Sequence, residues 1–441
     1  MSELTPVSYS TLTRPKIKFR FEKIAVIGLG HAGISLGAGL AEAFEFVTGF
    51  DLSRRRVSTL KGGSDASGEG DDGRLAFTFK ISRDPEDMAN ATVYIVTVPT
   101  PLDATNRPDL AALKSACDLV GNYLKRGDLV IFESTAYPGV TEEYCGKILT
   151  QVSGLTPQVD FNLGYSPGHI SPGDRKTTLQ NTVKIVSADT PAALDRVAAI
   201  YEKVVSAGLY RASSIKVAEA AKALESTQRD LNIALMNEMA LICDKVGIPT
   251  REVIDAAASK GSFVPFYPGL VGGPCTGVDP HHLAALSEQI GHRPEVILAG
   301  RRMNDRMATH IASTALKLLM RRGGDVRAAR IGFFGLSFKE NVPDIRNSKA
   351  IDVIRELQSY ALEVLVHDPI VPQGDAAREG LVMSGLADMH DLDMLILTVP
   401  HEGYLTDKTL LNRLAKGGIL MDVKSVLSRR KLPEGCTYWG L

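Results

Sequence analysis

The sequence predicts an α/β protein with two doubly wound, parallel-sheet domains joined by a central helical domain. In the first half, short apolar runs such as KIAVIGLG, FVTGFD, VYIVTVPT and LVIFEST alternate with helical stretches. Such alternation is typical of a parallel sheet covered on both faces. From about residue 212 one long helical stretch follows, and after about residue 328 strands resume with RIGFFGL, LEVLVHDP, MLILTVP and GILMDVKSV.

The chain length also requires more than one domain. At 441 residues it exceeds one ordinary domain, so two or three are expected. We place an N-terminal extension at residues 1–21 and the first sheet domain at 22–211. The central helical domain then covers 212–327, and the second sheet domain covers 328–441.

Composition excludes several classes of function. The net charge is −1, from 50 basic and 51 acidic residues, which argues against nucleic acid or an anionic membrane as a partner. No apolar run reaches membrane-spanning length, and the N-terminus lacks the apolar core of a secretion signal. The 5 cysteines are scattered without CxxC pairs, so we expect a reduced cytoplasmic protein with no disulfide framework and no metal site.

The central helix is predicted from SSIKVAEAAKALESTQRDLNIALMNEMALICDKVG, which contains no proline and no glycine until its end. Gly247 is expected to end it. Its apolar residues fall on one face at helical spacing; they are Leu224, Leu231, Leu235, Met239 and Ile242. A long helix between two domains is often a dimer contact, so we expect a homodimer through it.

The first turn carries a dinucleotide signature. Gly28, Gly30 and Gly33 form GxGxxG between a strand and a helix, and Asp51 ends the next strand. In a Rossmann-like domain these glycines allow the tight turn, the approach of backbone to a pyrophosphate and close helix packing. The acid accepts hydrogen bonds from ribose hydroxyls, and its charge would repel a 2′-phosphate, which favours NAD over NADP.

The stretch GGPCTG at residues 272–277 surrounds one cysteine, Cys275, with small residues. Small neighbours are expected to let a substrate approach the sulfur. Beside an NAD site, a thiolate can trap an aldehyde as a thiohemiacetal, which hydride loss converts to a thioester. Cys275 is therefore the predicted nucleophile, and an inert buried thiol is the alternative.

Several long stretches together resemble one family, the UDP-sugar 6-dehydrogenases. They are GLVGGPCTGVDPHHL, VIGLGHAG, IVTVPTP, FESTAYPGVTEE, GYSPGHISPGD, ESTQRDLNIALMNE and GLSFKENVPDIRNSK, and they cover residues from about 22 to 430. The chain is most similar to the bacterial UDP-N-acetylhexosamine 6-dehydrogenases of surface-polysaccharide pathways. The resemblance implies oxidation of a sugar 6-hydroxyl to a carboxylate with two NAD, a dimer, and a C-terminal domain that holds the UDP-sugar.

The resemblance also implies residue roles. Cys275 is the nucleophile, Lys222 stabilises an oxyanion, and Asp279 assists proton movement and water activation. Thr135 lies near the nicotinamide, and Ser226 stands where the family has an oxyanion-binding asparagine. The predicted cofactor-binding residues are Gly28, Leu29, Gly30, His31, Ala32, Gly33, Asp51, Arg56, Val98, Pro99, Thr100, Ser134 and Thr135. The predicted substrate-binding residues are Ser166, Pro167, Gly168, Lys222, Phe266, Tyr267, Gly272, Lys339 and Arg346.

Three positions depart from the family pattern. Gly168 replaces a glutamate that acts as general base or orders the hydrolytic water, Ser226 replaces the asparagine, and Pro274 precedes the cysteine. Loss of a general base typically costs about 10²–10⁴ in rate. His169, beside Gly168, is one hypothetical replacement base.

These departures leave alternatives open. The leading hypothesis is an active UDP-N-acetylhexosamine 6-dehydrogenase. The second is an enzyme whose reaction stops at the thioester or the aldehyde. The third is a non-catalytic paralogue that binds a sugar nucleotide. A β-hydroxyacid dehydrogenase shares the NAD domain, the long helix and its lysine, but it needs no cysteine.

Overall fold

The computed structural model describes residues 22–62, 79–168, 178–427 and 430–441. The predicted N-terminal extension, residues 1–21, lies outside them. In chain order the strands are β1 Lys23–Ile27, β2 Phe46–Phe50, β3 Lys80–Ser82, β4 Val93–Val96, β5 Leu129–Phe132, β6 Asn162–Tyr165, β7 Lys184–Ala188, β8 Leu209–Arg211, β9 Ile331–Phe334, β10 Val364–His367, β11 Leu392–Leu397, β12 Leu414–Asp422 and β13 Thr437–Gly440. The α-helices are α1 His31–Ala43, α2 Arg54–Lys61, α3 Ala111–Gly121, α4 Gly146–Ser153, α5 Pro191–Tyr201, α6 Ile215–Val246, α7 Thr250–Ala258, α8 Asp279–Gln289, α9 Glu295–Arg322, α10 Lys349–Ser359, α11 Gln373–Arg378 and α12 Glu402–Thr406.

The first sheet has eight strands in the order β3-β2-β1-β4-β5-β6-β7-β8. Its strands run parallel except for the β6–β7 pair. Strands β4 and β5 are buried at every position, as expected where helices cover both faces. In this order the strand sequence reverses between β1 and β4, and ligands of doubly wound sheets bind at the carboxyl edge of that point.

The second sheet has five parallel strands in the order β10-β9-β11-β12-β13. One hydrogen bond of the first sheet domain, from a backbone N–H to an aspartate, recurs in the second. Asp51 after β2 accepts the backbone N–H of Leu29 at 2.8 Å, and Asp368 after β10 accepts that of Leu336 at 2.7 Å. The two sheets and the helical region between them confirm the predicted fold class.

The central helix α6 has 32 residues, and Gly247 ends it in the left-handed conformation at φ 80°, as predicted. A second long helix, α9, has 28 residues and was not predicted. The two helices pack through a buried polar network. Arg301 donates to Asp230 at 2.6 Å, and Asn237 donates to Asn304 at 2.8 Å and to the Gly269 carbonyl at 3.0 Å. This network fixes the chain segment that enters the cysteine loop.

The predicted apolar face of α6 points away from the protomer. Leu224, Leu235 and Ile242 are 64%, 53% and 47% exposed, and Leu231 and Met239 are half-buried. The helix packs its opposite side into the protein instead, so this stripe of apolar side chains is left uncovered by the described residues of the chain.

Neither a membrane-spanning helix nor a metal-binding cluster is found in the described part of the chain. No helix there combines the length and the apolar character that crossing a bilayer requires. No three His, Cys, Asp or Glu side chains in those residues are grouped so that they could hold a metal ion.

Candidate active site

The glycine turn between β1 and α1 has the shape that a dinucleotide requires. Gly28 is left-handed at φ 94°. A Cβ at Gly33 would lie 1.9 Å from the Gly28 carbonyl oxygen, so only glycine lets α1 pack this closely. A Cβ at Gly30 would meet nothing within 4 Å, which leaves the outer side of the turn open. Helix α1 begins at His31 and Ala32 with no acidic residue in its first turn, so its N–H groups can receive a phosphate.

The ends of β4 and β5 lie beside this turn, because β4 pairs with both β1 and β5. The Ser134 hydroxyl donates to the Val98 carbonyl at 2.6 Å, and the Thr100 hydroxyl donates to the Thr135 carbonyl at 2.7 Å. These bonds join the two strand ends on either side of Pro99. The predicted cofactor-binding residues after β4 and β5 therefore share one sheet edge with the glycine turn.

Asp51 and Arg56 both form hydrogen bonds to the backbone of Leu29 in the glycine turn. One oxygen of Asp51 accepts the N–H of Leu29 at 2.8 Å, and the other accepts that of Ser53 at 2.8 Å. Arg56 donates from Nε to the Leu29 carbonyl at 2.6 Å. The carboxylate is thus held at the end of β2, where a ribose would lie in a fold of this type, and the set fits NAD.

The structure brings together the predicted catalytic side chains of the central domain. Lys222 and Ser226 lie one turn apart on α6, and Asp279 begins α8 directly after the cysteine loop. These three are 6%, 0% and 0% exposed, whereas Cys275 is partly exposed. The Cys275 carbonyl accepts the N–H of Asp279 at 2.8 Å, which ties the thiol to the carboxylate through the backbone.

Charge coupling within this cluster sets the proton affinities. Burial alone would lower the pKa of Lys222, but Cys275, Asp279 and Glu225 raise it above its ordinary value. Burial raises the pKa of Asp279 to about 7 against the opposing effect of Lys222. Burial and then the charge of Asp279 raise the pKa of Cys275 to about 11, while Lys222 lowers it. At neutral pH the thiol is therefore protonated, and the charge of Asp279 acts on it.

The glycines of the cysteine loop allow close packing against the second sheet domain. The sequence had predicted that they leave room for a substrate. Instead, a Cβ at Gly272 would lie 2.2 Å from the carbonyl oxygen of Asn347, and one at Gly273 would lie 2.6 Å from Phe338. A Cβ at Gly277 would lie 2.7 Å from the Asn347 side chain. The loop is thus pressed against the second sheet domain, and this contact places Cys275 at the boundary of the two domains.

Glu219 is a site residue that sequence analysis missed. It is fully buried on α6 and accepts the N–H groups of Gly139 at 2.6 Å and Thr141 at 2.9 Å. Burial raises its pKa to about 7 against these bonds. Glu219 therefore fastens the helix that carries Lys222 to the loop that follows β5. Its position three residues before Lys222, on the same helical face, was the available signal.

His282 makes the matching contact from α8. It is fully buried, and its Nε2 lies 3.3 Å from the Thr100 carbonyl in the cofactor-side loop. Burial lowers its pKa to about 4, so it is neutral at physiological pH. Neutral His282 therefore connects α8, which follows the cysteine loop, to the cofactor edge of the first sheet.

Glu225 adds a second acidic side chain beside Lys222. Its Oε2 lies 3.3 Å from the Lys222 ammonium and 3.4 Å from the Ser226 hydroxyl, and it also pairs with Arg229. Unlike Asp279, it is open to solvent, with 39% of its side chain exposed. The sequence analysis did not single it out.

The predicted substrate-binding residues after β6 have mixed surroundings. Ser166 is fully buried and its hydroxyl donates to the Ile185 carbonyl, so that hydroxyl is already used within the sheet. The Pro167 carbonyl accepts from Lys184 at 3.2 Å. Among the described residues, none comes within 4 Å of a Cβ at Gly168. His169, the hypothetical base, lies outside the described residues.

The other predicted substrate residues lie around the domain boundary. Phe266 and Tyr267 precede the cysteine loop, with the Arg251 guanidinium 4.2 Å from the Tyr267 ring. Lys339 and Arg346 lie in the segment of the second domain that contacts the loop. Arg346 pairs with Asp344 at 2.6 Å, and its charge lowers the pKa of Cys275. Binding roles for these residues stay predictions.

The fold and the glycine turn together define an NAD-dependent dehydrogenase with a second nucleotide-type domain. The chain belongs to the UDP-glucose/GDP-mannose dehydrogenase family. Its NAD binding domain model matches residues 22–205, its central domain model 216–306 and its UDP binding domain model 332–429. The protein is therefore a nucleotide-sugar dehydrogenase that uses NAD.

Individual relatives extend over nearly the whole chain. Protein CapL of Staphylococcus aureus is 43% identical, with 95% of this chain and 99% of CapL covered. The UDP-N-acetyl-D-glucosamine 6-dehydrogenase of Pseudomonas aeruginosa is also 43% identical, over 93% of this chain and 98% of its own. The structure of the UDP-D-ManNAc dehydrogenase from Pyrococcus horikoshii superposes with a TM-score of 0.85 at 27% identity, covering 95% and 98% of the two chains.

Proposed function

We propose that the protein oxidises C6 of UDP-N-acetylglucosamine or UDP-N-acetylgalactosamine to the carboxylate through a covalent bond to Cys275. The observation that carries this is the charge-coupled cluster of Cys275, Lys222 and Asp279. The cysteine loop contacts the second sheet domain, and α8 contacts the cofactor edge of the first. The name of the Pseudomonas aeruginosa relative supports the choice of an N-acetylated sugar. The product is an activated sugar acid of the kind that surface polysaccharides require.

Each residue of the cluster has one task in this proposal. Bound NAD supplies the hydride acceptor for both oxidations. Lys222, kept charged by its acidic neighbours, stabilises the oxyanion that develops at C6. Asp279 accepts the proton of the Cys275 thiol as the sulfur adds to the aldehyde carbon. The buried position of the lysine and the carboxylate makes these charge interactions stronger than they would be in water.

Substrate identity is tested directly by incubation with NAD and a panel of UDP-sugars. We expect NADH from UDP-N-acetylglucosamine or its galacto epimer at a kcat/KM well above that for UDP-glucose. Absence of NADH with every UDP-hexose, while NAD and UDP-sugar still bind by calorimetry, would instead support a non-catalytic binding protein.

The pH profile is a second test, because Asp279 works as a base. Its pKa of about 7 means that the active carboxylate form is lost as the pH falls through neutrality. We expect kcat/KM to fall about tenfold per pH unit below that pKa. Asp279→Asn should remove this acid limb and lower kcat/KM by about 10²–10⁴.

Glu219 provides the control for this profile, since its pKa is also about 7. Glu219→Gln keeps an acceptor oxygen for only one of the two N–H groups, of Gly139 or Thr141, and places an NH2 group against the other, but it cannot titrate. We expect the acid limb to persist in this variant. Its disappearance in Glu219→Gln but not in Asp279→Asn would assign the limb to Glu219 and contradict the role given to Asp279.

We also propose that a second copy of the chain covers the outward apolar stripe of α6. Leu224, in the first third of the helix, is 64% exposed, and Val246, its last residue, is 65% exposed, with Leu235 and Ile242 between them. Exposed apolar stripes of this length mark protein–protein contacts. Pairing the same helix from two protomers makes a self-complementary, two-fold interface.

Leu235→Glu tests this interface by placing a charge in its centre. We expect the dimer dissociation constant to rise at least about 100-fold, since two unpaired carboxylates would be desolvated. Sedimentation velocity across a concentration series measures it. Val382→Glu, at an 86% exposed residue of the second domain, is the control and should leave assembly unchanged. A monomeric parent protein at high concentration would contradict the proposal.

A further inference from the structure

We propose that Glu225 is the general base that activates water for hydrolysis of the Cys275 thioester. This inference rests on the proposed function, because it concerns the step that releases the sugar acid from Cys275. It assigns the step to a residue of the central helix, on the side of the cluster that faces solvent.

The position of Glu225 meets the requirement for such a base. Its carboxylate lies 3.3 Å from the Lys222 ammonium, which is the group that faces the reacting carbonyl oxygen in the proposed mechanism. Its charge also reaches Cys275 and Asp279. A water held at Glu225 would therefore lie next to the cation that polarises the thioester.

The other acidic groups of this region are less suited to the task. Asp279 is 0% exposed, so it has no direct path for returning a proton to bulk water. Glu219 is also 0% exposed and is bonded to two backbone N–H groups across the domain boundary. Gly168, where the resembled family has a glutamate, offers no carboxylate. Glu225, with 39% of its side chain exposed, can both hold a water and exchange its proton.

The Glu225 carboxylate is held in place by two cations. Arg229 and Lys222 both pair with it. The Ser226 hydroxyl lies 3.4 Å from Glu225 Oε2, the oxygen that pairs with Lys222. A side chain longer than serine at position 226 would therefore take up space beside this oxygen. The serine at this position is thus compatible with a water bound between Glu225 and the thioester.

The step balances without any further reagent. The water oxygen bonds to the acyl carbon, the carbon–sulfur bond breaks, and Cys275 leaves as a thiolate beside the Lys222 ammonium. One water proton passes to Glu225 and then to solvent, and the product acid releases the second. No electrons are transferred, because both oxidations precede this step.

Glu225→Gln separates hydrolysis from oxidation. When the variant is mixed with excess NAD and UDP-N-acetylglucosamine, we expect it to release its first-turnover NADH at the parent rate and then to stop. Intact mass should show the sugar acyl group on Cys275, and steady-state turnover should fall by about 10²–10⁴. Hydroxylamine, a nucleophile that needs no base, should restore turnover by releasing the hydroxamate. Glu202→Gln, at an exposed glutamate that ends α5, is the matched control.

The possible outcomes are distinct. Steady-state turnover within threefold of the parent, or loss of the first-turnover NADH while NAD binding is intact, would overturn the proposal. Accumulation of the acyl adduct in His169→Ala but not in Glu225→Gln would transfer the role to His169. If the parent itself makes no NADH from any UDP-sugar, the proposed function fails, and that result precedes any comparison of the variants.

Discussion

Replacing Cys275 by alanine is expected to end formation of the sugar acid while leaving at most one NADH per UDP-sugar. Without the sulfur, the aldehyde from the first oxidation cannot become a thiohemiacetal, so the second hydride transfer has no activated donor. Removal of a nucleophile in other covalent enzymes costs several orders of magnitude, and we expect at least about 10⁴ in the rate of acid formation. Mass spectrometry of the sugar products, together with NADH absorbance, measures both quantities.

The matched control is Cys436→Ala, which removes another half-buried thiol. Cys436 lies just before β13, with its sulfur 3.6 Å from the Ala415 carbonyl in the second sheet domain. It should keep parent activity within about twofold, since it is remote from the cluster in the fold. Formation of the sugar acid by Cys275→Ala at the parent rate would rule out the covalent mechanism.

Replacing Lys222 by methionine is expected to lower kcat by about 10²–10³ with a smaller change in KM. The side chain is 6% exposed, and methionine has similar length without the ammonium group. The loss should be larger in the transition state than in the ground state, because the oxyanion exists only there. Asp279 and Glu225 would also lose the cation between them, which raises the pKa of Cys275 further. Steady-state kinetics with saturating NAD measure the split between kcat and KM.

Lys216→Met is the control for charge on the same helix. Lys216 lies at the start of α6 and pairs with Glu143 at 2.6 Å on the surface, where ion pairs contribute little. It should change kcat by less than about twofold. If Lys222→Met retains kcat within a factor of ten, the oxyanion role of Lys222 is wrong.

The sequence allowed the cofactor side of the site to be predicted, because its signals are local. Gly28, Gly33 and Asp51 lie at fixed offsets along one strand, turn and helix, and a strand order follows from that unit. Cys275 was predicted from its small neighbours and the accompanying NAD site, whereas Lys222 was found because the stretch around it resembles a known family. The helical i,i+3 spacing of Lys222 and Glu225 could have indicated this pair, but it could not show which side of the helix faces the cysteine loop.

Long-range contacts account for what was missed. The glycines around Cys275 are required by Asn347 and Phe338, which are some 65 to 75 positions away in the printed sequence. His282 meets the Thr100 carbonyl across two domains.

The secondary-structure elements that were missed have a different cause. Helix α9 was missed because its outward face is rich in charged residues. Short strands such as β3 and β8 carry too few residues for a clear alternation.

The most direct test of the central claim is the ratio of NADH formed to UDP-N-acetylglucosamine consumed when the reaction runs to completion. The proposed chemistry requires two oxidations of the same carbon, held between them by Cys275, so the ratio should be two and the product should be the 6-carboxylate. A ratio of one, with the 6-aldehyde as the product, would contradict the account.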